Sequence, residues 1–229
     1  MVTVRPEKIT SSTQSIWVIG GGKFGRRAVR LLHKGTPSAT IIVVDNEPIS
    51  DLPPDIEVVC GEGAEWLAEQ SFSETLVTKI IPVIPVHLTA EWLKLKLEAD
   101  GGSLASVEIP ENLLQQLPHP IRVRPDKIVI SHADFICPEN CSEPNTLCTY
   151  TQQLRMPPLY DVLETMDWGD LTPIIVRSRQ FAPGVGGFYL KDLCNVLIRA
   201  KSLPGVPLLI GTACKCHGVL DSFCYRVDV

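Results

Sequence analysis

Residues 15–25 read Ser-Ile-Trp-Val-Ile-Gly-Gly-Gly-Lys-Phe-Gly, a short apolar run that leads directly into a glycine-rich turn. An apolar run of this length is typical of a buried parallel β-strand. Beyond the turn, Ala28, Leu31 and Leu32 share one helical face and arginines lie on the other. The stretch therefore predicts a strand, a tight turn and an amphipathic helix.

The same alternation continues over the first hundred residues. Further apolar runs at 40–44, 56–60 and 76–81 predict three more strands, and residues 64–70 and 89–98 have helical patterns. Strands that alternate with helices form parallel sheets through right-handed crossovers. We therefore expect an α/β fold that begins with a Rossmann-type parallel sheet.

The chain divides by pattern into residues 1–100, expected to be the Rossmann domain, and residues 101–229, expected to be a cysteine-containing α/β lobe. Residues 137–160 are rich in Pro, Cys, Asn and Glu and predict a long loop. A second βαβ unit is predicted after this loop, either in a separate sheet or as a continuation of the first. Its parts are a strand at 174–176, a glycine-rich loop at 182–187, a helix at 188–201 and a strand at 208–211.

Composition narrows the classes of partner. The formal net charge is −5, and both halves carry slightly more acidic than basic side chains, so a nucleic-acid surface is not indicated. Residues 1–14 are polar, without the apolar segment of a secretory signal. The longest apolar run, residues 80–88, is interrupted by Pro82 and Pro85 and is too short to span a bilayer. We expect a cytoplasmic protein without membrane insertion.

The glycine turn has the spacing G-x-G-x-x-G in the context that dinucleotide binding requires. Gly20 can make the tight turn, Gly22 lets a pyrophosphate approach the backbone, and Gly25 lets the helix pack closely on the strand. Asp45, at the end of the second strand, can accept hydrogen bonds from a ribose and repels a 2′-phosphate, which favours NAD(H) over NADP(H). Other residues expected to line this site are Lys23, Phe24, Asn46 and Gly61. The alternative is a similar turn that binds another adenine nucleotide or none.

These residues also carry a family resemblance. The segments IWVIGGGKFGRRAVRLL (16–32), IIVVDNE (41–47) and VVCGEGAEWL (58–67) resemble the N-terminal domain of the regulators of potassium conductance, the RCK or TrkA-N group. The resemblance covers about residues 15–98 and implies an NAD(P)-binding Rossmann domain and a role in the regulation of potassium transport. Residues 61–63 match the family's third glycine element only loosely, and the second half does not resemble the family's ligand domain.

Cysteines form a second constellation. Cys137, Cys141 and Cys148 have the spacing C-x₃-C-x₆-C, and the second cluster is Cys214, Cys216 and His217. Because thiolates on a flexible loop can converge on one ion, we expect zinc or an iron–sulfur cluster there. A reactive dithiol and simple packing are the alternatives. The remaining cysteines, Cys60, Cys194 and Cys224, are expected to pack in the core.

His87 follows the fourth strand and is a candidate proton donor or acceptor, although a lone histidine is more often an ordinary polar residue. Two functions compete. The first is an NAD(H)-binding redox protein, an NAD-dependent oxidoreductase for instance, which links the dinucleotide to the cysteine centre. An iron–sulfur centre would also need a flavin or a protein redox partner, because a hydride carries two electrons. The second is a nucleotide-sensing regulatory module with a structural metal. Besides the dinucleotide, the expected partner is a protein redox partner or a second copy of the chain in a homo-oligomer.

Overall fold

Residues 14–70 and 78–227 are described by a computed structural model. The chain alternates strands and helices at first and becomes rich in strands later. The first half contains β1 (Ser15–Ile19), α1 (Lys23–Gly35), β2 (Thr40–Asp45), β3 (Glu57–Cys60), α2 (Gly63–Glu69), β4 (Thr78–Pro82), α3 (Leu88–Ala99). The second half contains β5 (Gly102–Ser106), α4 (Glu111–Leu114), β6 (Ile121–Arg124), β7 (Lys127–Ser131), α5 (Leu159–Thr165), β8 (Thr172–Arg177), β9 (Arg179–Ala182), β10 (Val185–Tyr189), α6 (Leu190–Lys201), β11 (Pro207–Ala213), β12 (His217–Val227).

The first sheet has the strand order β3-β2-β1-β4-β10-β9. Strands β3, β2, β1 and β4 run parallel, whereas β10 pairs antiparallel with β4 and β9 antiparallel with β10. The parallel strands predicted for the first half are therefore confirmed. The predicted start of the fourth strand lies outside the described residues, and its described part runs from Thr78 to Pro82.

The second sheet is mixed, with the order β6-β7-β12-β11-β8 and β5 paired with β12. Its longest strand, β12, pairs antiparallel with β11, β7 and β5. Strands β8 and β11 are parallel, as a βαβ unit requires, but they lie in this sheet and not in the first. The fold is thus a mixed α/β arrangement of two six-stranded sheets.

The glycine-rich segment at 182–187 was expected to be a loop before a helix, and that prediction is wrong. It forms the hairpin of β9 and β10, with a turn at Pro183–Gly184 where Gly184 has a φ of +69°. A Cβ on Gly187 would overlap the carbonyl oxygen of Ile80. Glycine is needed here because β10 approaches β4 closely.

Helices α3 and α6 lie between the two sheets. One hydrophobic core contains Ile80 of the first sheet, Trp92 of α3, Leu193 of α6 and Ile210 and Phe223 of the second sheet. A second core lies between α1 and the opposite face of the first sheet, and a third lies between the second sheet and α4 and α5. The layers therefore follow the order helix, sheet, helix, sheet, helix.

The helices of the described ranges are short. The longest, α1, has 13 residues. No helix in these ranges has both the length and the apolar character needed to cross a membrane.

Candidate functional site

The glycine turn joins β1 to α1 in a conformation that other residues would disturb. Gly20 has a φ of +111°, which L side chains rarely adopt. A Cβ on Gly25 would overlap the carbonyl oxygen of Gly20, so glycine allows α1 to start against the strand. A Cβ on Gly22 would meet nothing within 4 Å. The backbone at Gly22 is therefore open to an approaching ligand.

The N-terminus of α1 is open to an anion. Its N-cap residue, Gly22, provides no side-chain cap, and the first turn contains no acidic residue. The amide N–H groups of a first helical turn and the helix dipole both favour negative charge. Lys23, the first residue of α1, adds a formal positive charge.

Asp45 faces this turn from the end of β2. Its carboxylate accepts hydrogen bonds from the backbone N–H of Gly21 and, at 2.9 Å, from the N–H of Glu47. The N–H of Gly61 donates to the carbonyl oxygen of Asp45 at 2.9 Å. Asn46 donates to the Glu62 carboxylate at 3.0 Å. The residues predicted for the dinucleotide thus gather at the carboxyl ends of β1, β2 and β3.

A cavity of about 470 Å³ lies beside this edge. All six predicted ligands line it: Cys137, Cys141, Cys148, Cys214, Cys216 and His217. His217 lies between two thiols, with Nε2 3.6 Å from the Cys137 sulfur and Nδ1 3.8 Å from the Cys214 sulfur. The separation at Cys137 fits a tetrahedral zinc site, whose sulfur–nitrogen edge is about 3.6 Å for usual bond lengths. Within the described ranges, however, no three His, Cys, Asp or Glu side chains converge closely enough to hold a metal ion.

Three of these cysteines lie in the same kind of local turn. The sulfur of Cys141 accepts the backbone N–H two residues later at 3.4 Å. The sulfur of Cys214 accepts two backbone N–H groups, that of Cys216 at 3.5 Å and that of His217 at 3.4 Å. For Cys148, the backbone N–H groups of Thr151 and Tyr150 lower the pKa of the thiol. Such donors favour the thiolate, which is the form that binds metals.

Burial raises the pKa values of the more buried thiols and so opposes the effect of these donors. It raises the pKa of Cys214 to about 11, and it also raises the pKa values of Cys137 and Cys216. Arg155 opposes this effect at Cys216, since its Nη2 lies 2.6 Å from the sulfur. Burial also lowers the pKa of His217, so its imidazole is neutral at pH 7. A neutral imidazole is the form that a metal binds.

The first turn of α1 reaches the cysteine cavity. Phe24, which is 54% exposed, lines it. Lys23 forms an ion pair of 2.5 Å with Glu139, which lies between Cys137 and Cys141. Arg27 donates to the carbonyl oxygen of Pro183 at 3.0 Å, in the turn of the β9–β10 hairpin.

The hairpin in turn holds the cysteine loop, residues 132–158. The N–H of Gly184 donates to the carbonyl oxygen of Cys141 at 2.9 Å, and the Gln180 side chain donates to the same oxygen. The glycine turn, the hairpin and the cysteine loop therefore form one continuous region.

Comparison with known proteins identifies a family for the larger part of the chain. Residues 89–226 match the family model AF_1314_C, described as "Uncharacterized protein, C-terminal domain". The chain belongs to this family. An uncharacterized protein of Archaeoglobus fulgidus is 27% identical over 220 residues, which cover 90% of this chain and 97% of the relative. No solved structure matches.

The AF_1314_C segment contains all six of the predicted ligands that line the cavity, but it begins after the glycine turn and after His87. His87 is only 3% exposed and is not among the residues that line the cavity. Its Nδ1 lies 2.8 Å from Asp221 and its Nε2 lies 2.9 Å from the Thr212 hydroxyl, which in turn contacts Thr89 at 2.9 Å. The proton-transfer role of His87 therefore stays a prediction, and its burial outside the cavity favours a structural role.

His87 and Asp221 form a buried pair whose protonation follows from burial and from neighbouring charges. Burial lowers the pKa of His87 although Asp221 acts to raise it, so the imidazole is neutral. Burial acts to raise the pKa of Asp221, but the His87 hydrogen bond and the charge of Lys127 bring it below its usual value. Nδ1–H of His87 therefore donates to the carboxylate, and Nε2 accepts from the Thr212 hydroxyl.

Outside the cavity, the packing predicted for the other cysteines holds in part. Cys224 is buried and Cys194 is half-buried, but Cys60 is exposed, so core packing of Cys60 is wrong. The reason is that β3 is an edge strand with exposed side chains.

Three residues of these regions were not predicted from the sequence: Glu139, Arg155 and Asp221. Asp221 carried a signal, because it is a charged residue within an otherwise apolar run. Glu139 lies between two candidate ligands, but its partner Lys23 is 116 residues away in sequence.

Proposed function

We propose that the chain is an NAD(H)-binding redox protein that holds the dinucleotide next to a cysteine-ligated metal or iron–sulfur centre. The observation that carries this proposal is the contact between the glycine turn and the cysteine cavity, where Phe24 of the turn lines the cavity of the six ligands. A dinucleotide bound along the turn would have this cavity at its edge.

The dinucleotide half of the proposal is supported by topology. The strand order β3-β2-β1-β4 is that of the nucleotide-binding half of a Rossmann fold, in which the ligand lies at the carboxyl ends of the strands. Gly22 and the first turn of α1 would hold the pyrophosphate. The oxygens of Asp45 have remaining lone pairs that would accept ribose hydroxyls. Its negative charge favours NAD(H) over NADP(H).

The metal half is supported by the donor set. Cys141, Cys148 and Cys214 would be ligands because backbone N–H groups donate to their sulfurs in the local turns. Cys137, Cys216 or His217 would complete the set. An iron–sulfur cluster would supply one-electron transfer, whereas zinc would supply a Lewis acid or a structural link. With a cluster, a flavin or a protein partner is needed to divide the two electrons of the hydride.

The test is metal and sulfide analysis with a visible spectrum, on protein purified without oxygen. We expect bound metal in the wild type and in Cys194→Ala, and a loss of most of it in Cys141→Ala. Cys194 is the matched control because it is a half-buried cysteine outside the cavity. A metal content equal in both variants would disprove the site. NADH titration of the same samples tests the dinucleotide half, and absence of binding would disprove that half.

The second candidate is a nucleotide-sensing regulatory module, as in the RCK-like expectation, with zinc shaping the second half. The position of His87 favours this candidate. His87 is the candidate proton donor or acceptor of an enzyme, but both of its ring nitrogens contact buried or partly buried side chains, Asp221 and Thr212. Oxidation of NADH by an artificial acceptor would support the redox proposal. Zinc and NADH binding without such oxidation would support the sensor.

A further inference from the structure

Glu139 holds a position at α1 that an anionic ligand would also favour. Its carboxylate lies 2.5 Å from the Nζ of Lys23, the first residue of the helix. The carboxylate therefore lies next to a cation and to the positive end of the helix dipole.

The cysteine loop fixes where this carboxylate lies. Glu139 stands two residues from Cys137 and two from Cys141, both candidate ligands. The hairpin turn packs directly on its backbone, because a Cβ on Gly184 would overlap the carbonyl oxygen of Glu139. Arg27 of α1 holds that same turn through the oxygen of Pro183. The position of Glu139 thus depends on the state of the cysteine loop.

We propose that Glu139 gates the dinucleotide site: its carboxylate occupies Lys23 in place of a pyrophosphate, and the contact of the Gly184 turn with the Glu139 backbone holds it there. This inference rests on the proposed function. A pyrophosphate at the first turn of α1 must share Lys23 with Glu139 or displace it, and like charges repel.

The experiment measures the affinity for NADH of the whole chain by fluorescence titration. The variant is Glu139→Gln, which keeps the shape of the side chain and removes its charge. Asp134→Asn is the matched control, because Asp134 is an exposed carboxylate of the same loop. Lys23→Gln, alone and combined with Glu139→Gln, tests whether the effect passes through Lys23.

We expect Glu139→Gln to tighten NADH binding by about three- to tenfold at low salt, and by less at 0.5 M salt because the charges are exposed. Asp134→Asn should change the affinity by less than about twofold. In the Lys23→Gln background, the effect of Glu139→Gln should shrink.

Two results would overturn the gate. If NADH binds but Glu139→Gln behaves like Asp134→Asn, or binds NADH more weakly than the wild type, the gate is wrong and the proposed function remains. If neither the wild type nor Glu139→Gln binds NADH, the proposed dinucleotide site is wrong and the gate is wrong with it.

Discussion

Replacement of His87 by alanine should destabilise the protein far more than replacement of His33, although each histidine lies 2.8 Å from an aspartate. The His87–Asp221 pair is almost fully buried, with side-chain exposures of 2% and 1%. The His33–Asp55 pair is exposed, with values of 34% and 63%. The two variants therefore compare the same chemical pair in two environments.

The magnitude follows from the bonds that His87→Ala removes. A hydrogen bond to a buried carboxylate contributes about 1.5–3 kcal/mol, and the bond to Thr212 contributes about 0.5–1.5 kcal/mol. Arg124 at 3.3 Å and Lys127 at 3.6 Å still compensate the charge of Asp221, so the cost stays below that of a fully unpaired buried ion. We expect a loss of about 3 kcal/mol in the free energy of unfolding.

Urea unfolding monitored by circular dichroism measures this loss. With a urea m value of about 2–3 kcal/mol/M, the midpoint of His87→Ala should fall by about 1 M. His33→Ala should unfold at nearly the wild-type midpoint, because exposed pairs contribute little. In an Asp221→Asn background the cost of His87→Ala should be smaller, since the lost bond is no longer charge-assisted. Equal midpoints for His87→Ala and His33→Ala would refute the structural role of the buried network.

Three further predictions follow from particular residues. The pKa of His87 in the folded protein lies below its usual 6.5. As the pH is lowered, His87 is therefore protonated in the unfolded chain before it is protonated in the folded one. The free energy of unfolding should fall as the pH drops below about 6.5. Thermal unfolding from pH 8 to 5 should show this slope, and a His87→Gln variant that kept the full slope would contradict it. Asp45→Arg should weaken NADH binding and improve tolerance of NADPH in a fluorescence titration, and an unchanged preference would remove Asp45 from the site. Gly184→Ala should lower the unfolding midpoint, because Gly184 has a φ of +69° and a Cβ there would overlap the Glu139 backbone. Gly169→Ala is the control. Gly169 has a similar φ of +60° but no atom within 4 Å of a Cβ, so this variant should lower the midpoint less.

The first half of the fold could be predicted because its signals are local. Parallel strands buried on both faces appear in the sequence as continuous apolar runs, and the glycine turn marks the junction of β1 and α1. The predicted and observed bounds of β1 agree, and α3 differs from its prediction by one residue at each end. The meeting of Asp45 with the turn follows from the parallel pairing of β1 and β2.

The second half could not be predicted to the same extent, because long-range antiparallel pairing determines it. Strand β12 contains Asp221 and Ser222, which interrupt its apolar pattern although both are buried. The pattern shows neither the period of an amphipathic helix nor that of a half-exposed strand. Likewise, the glycines at 186 and 187 predict a loop before a helix, whereas the structure requires glycine at 187 to let β10 approach β4.

The candidate site consists of two groups of residues that lie far apart in the sequence, and the shared core explains why they meet. Trp17 and Ile80 of the first sheet contact the same core as Leu208 and Phe223 of the second sheet, through α3 and α6. The spacing between the glycine turn and the cysteine loop is therefore set by close packing, which resists deformation, and not by a flexible linker. Such a fixed spacing would suit either proposed function, electron transfer or nucleotide sensing. The contact of Lys23 with Glu139 is then a consequence of how the two sheets pack, so core substitutions between them, as well as changes at Glu139, should alter the relation between the two regions.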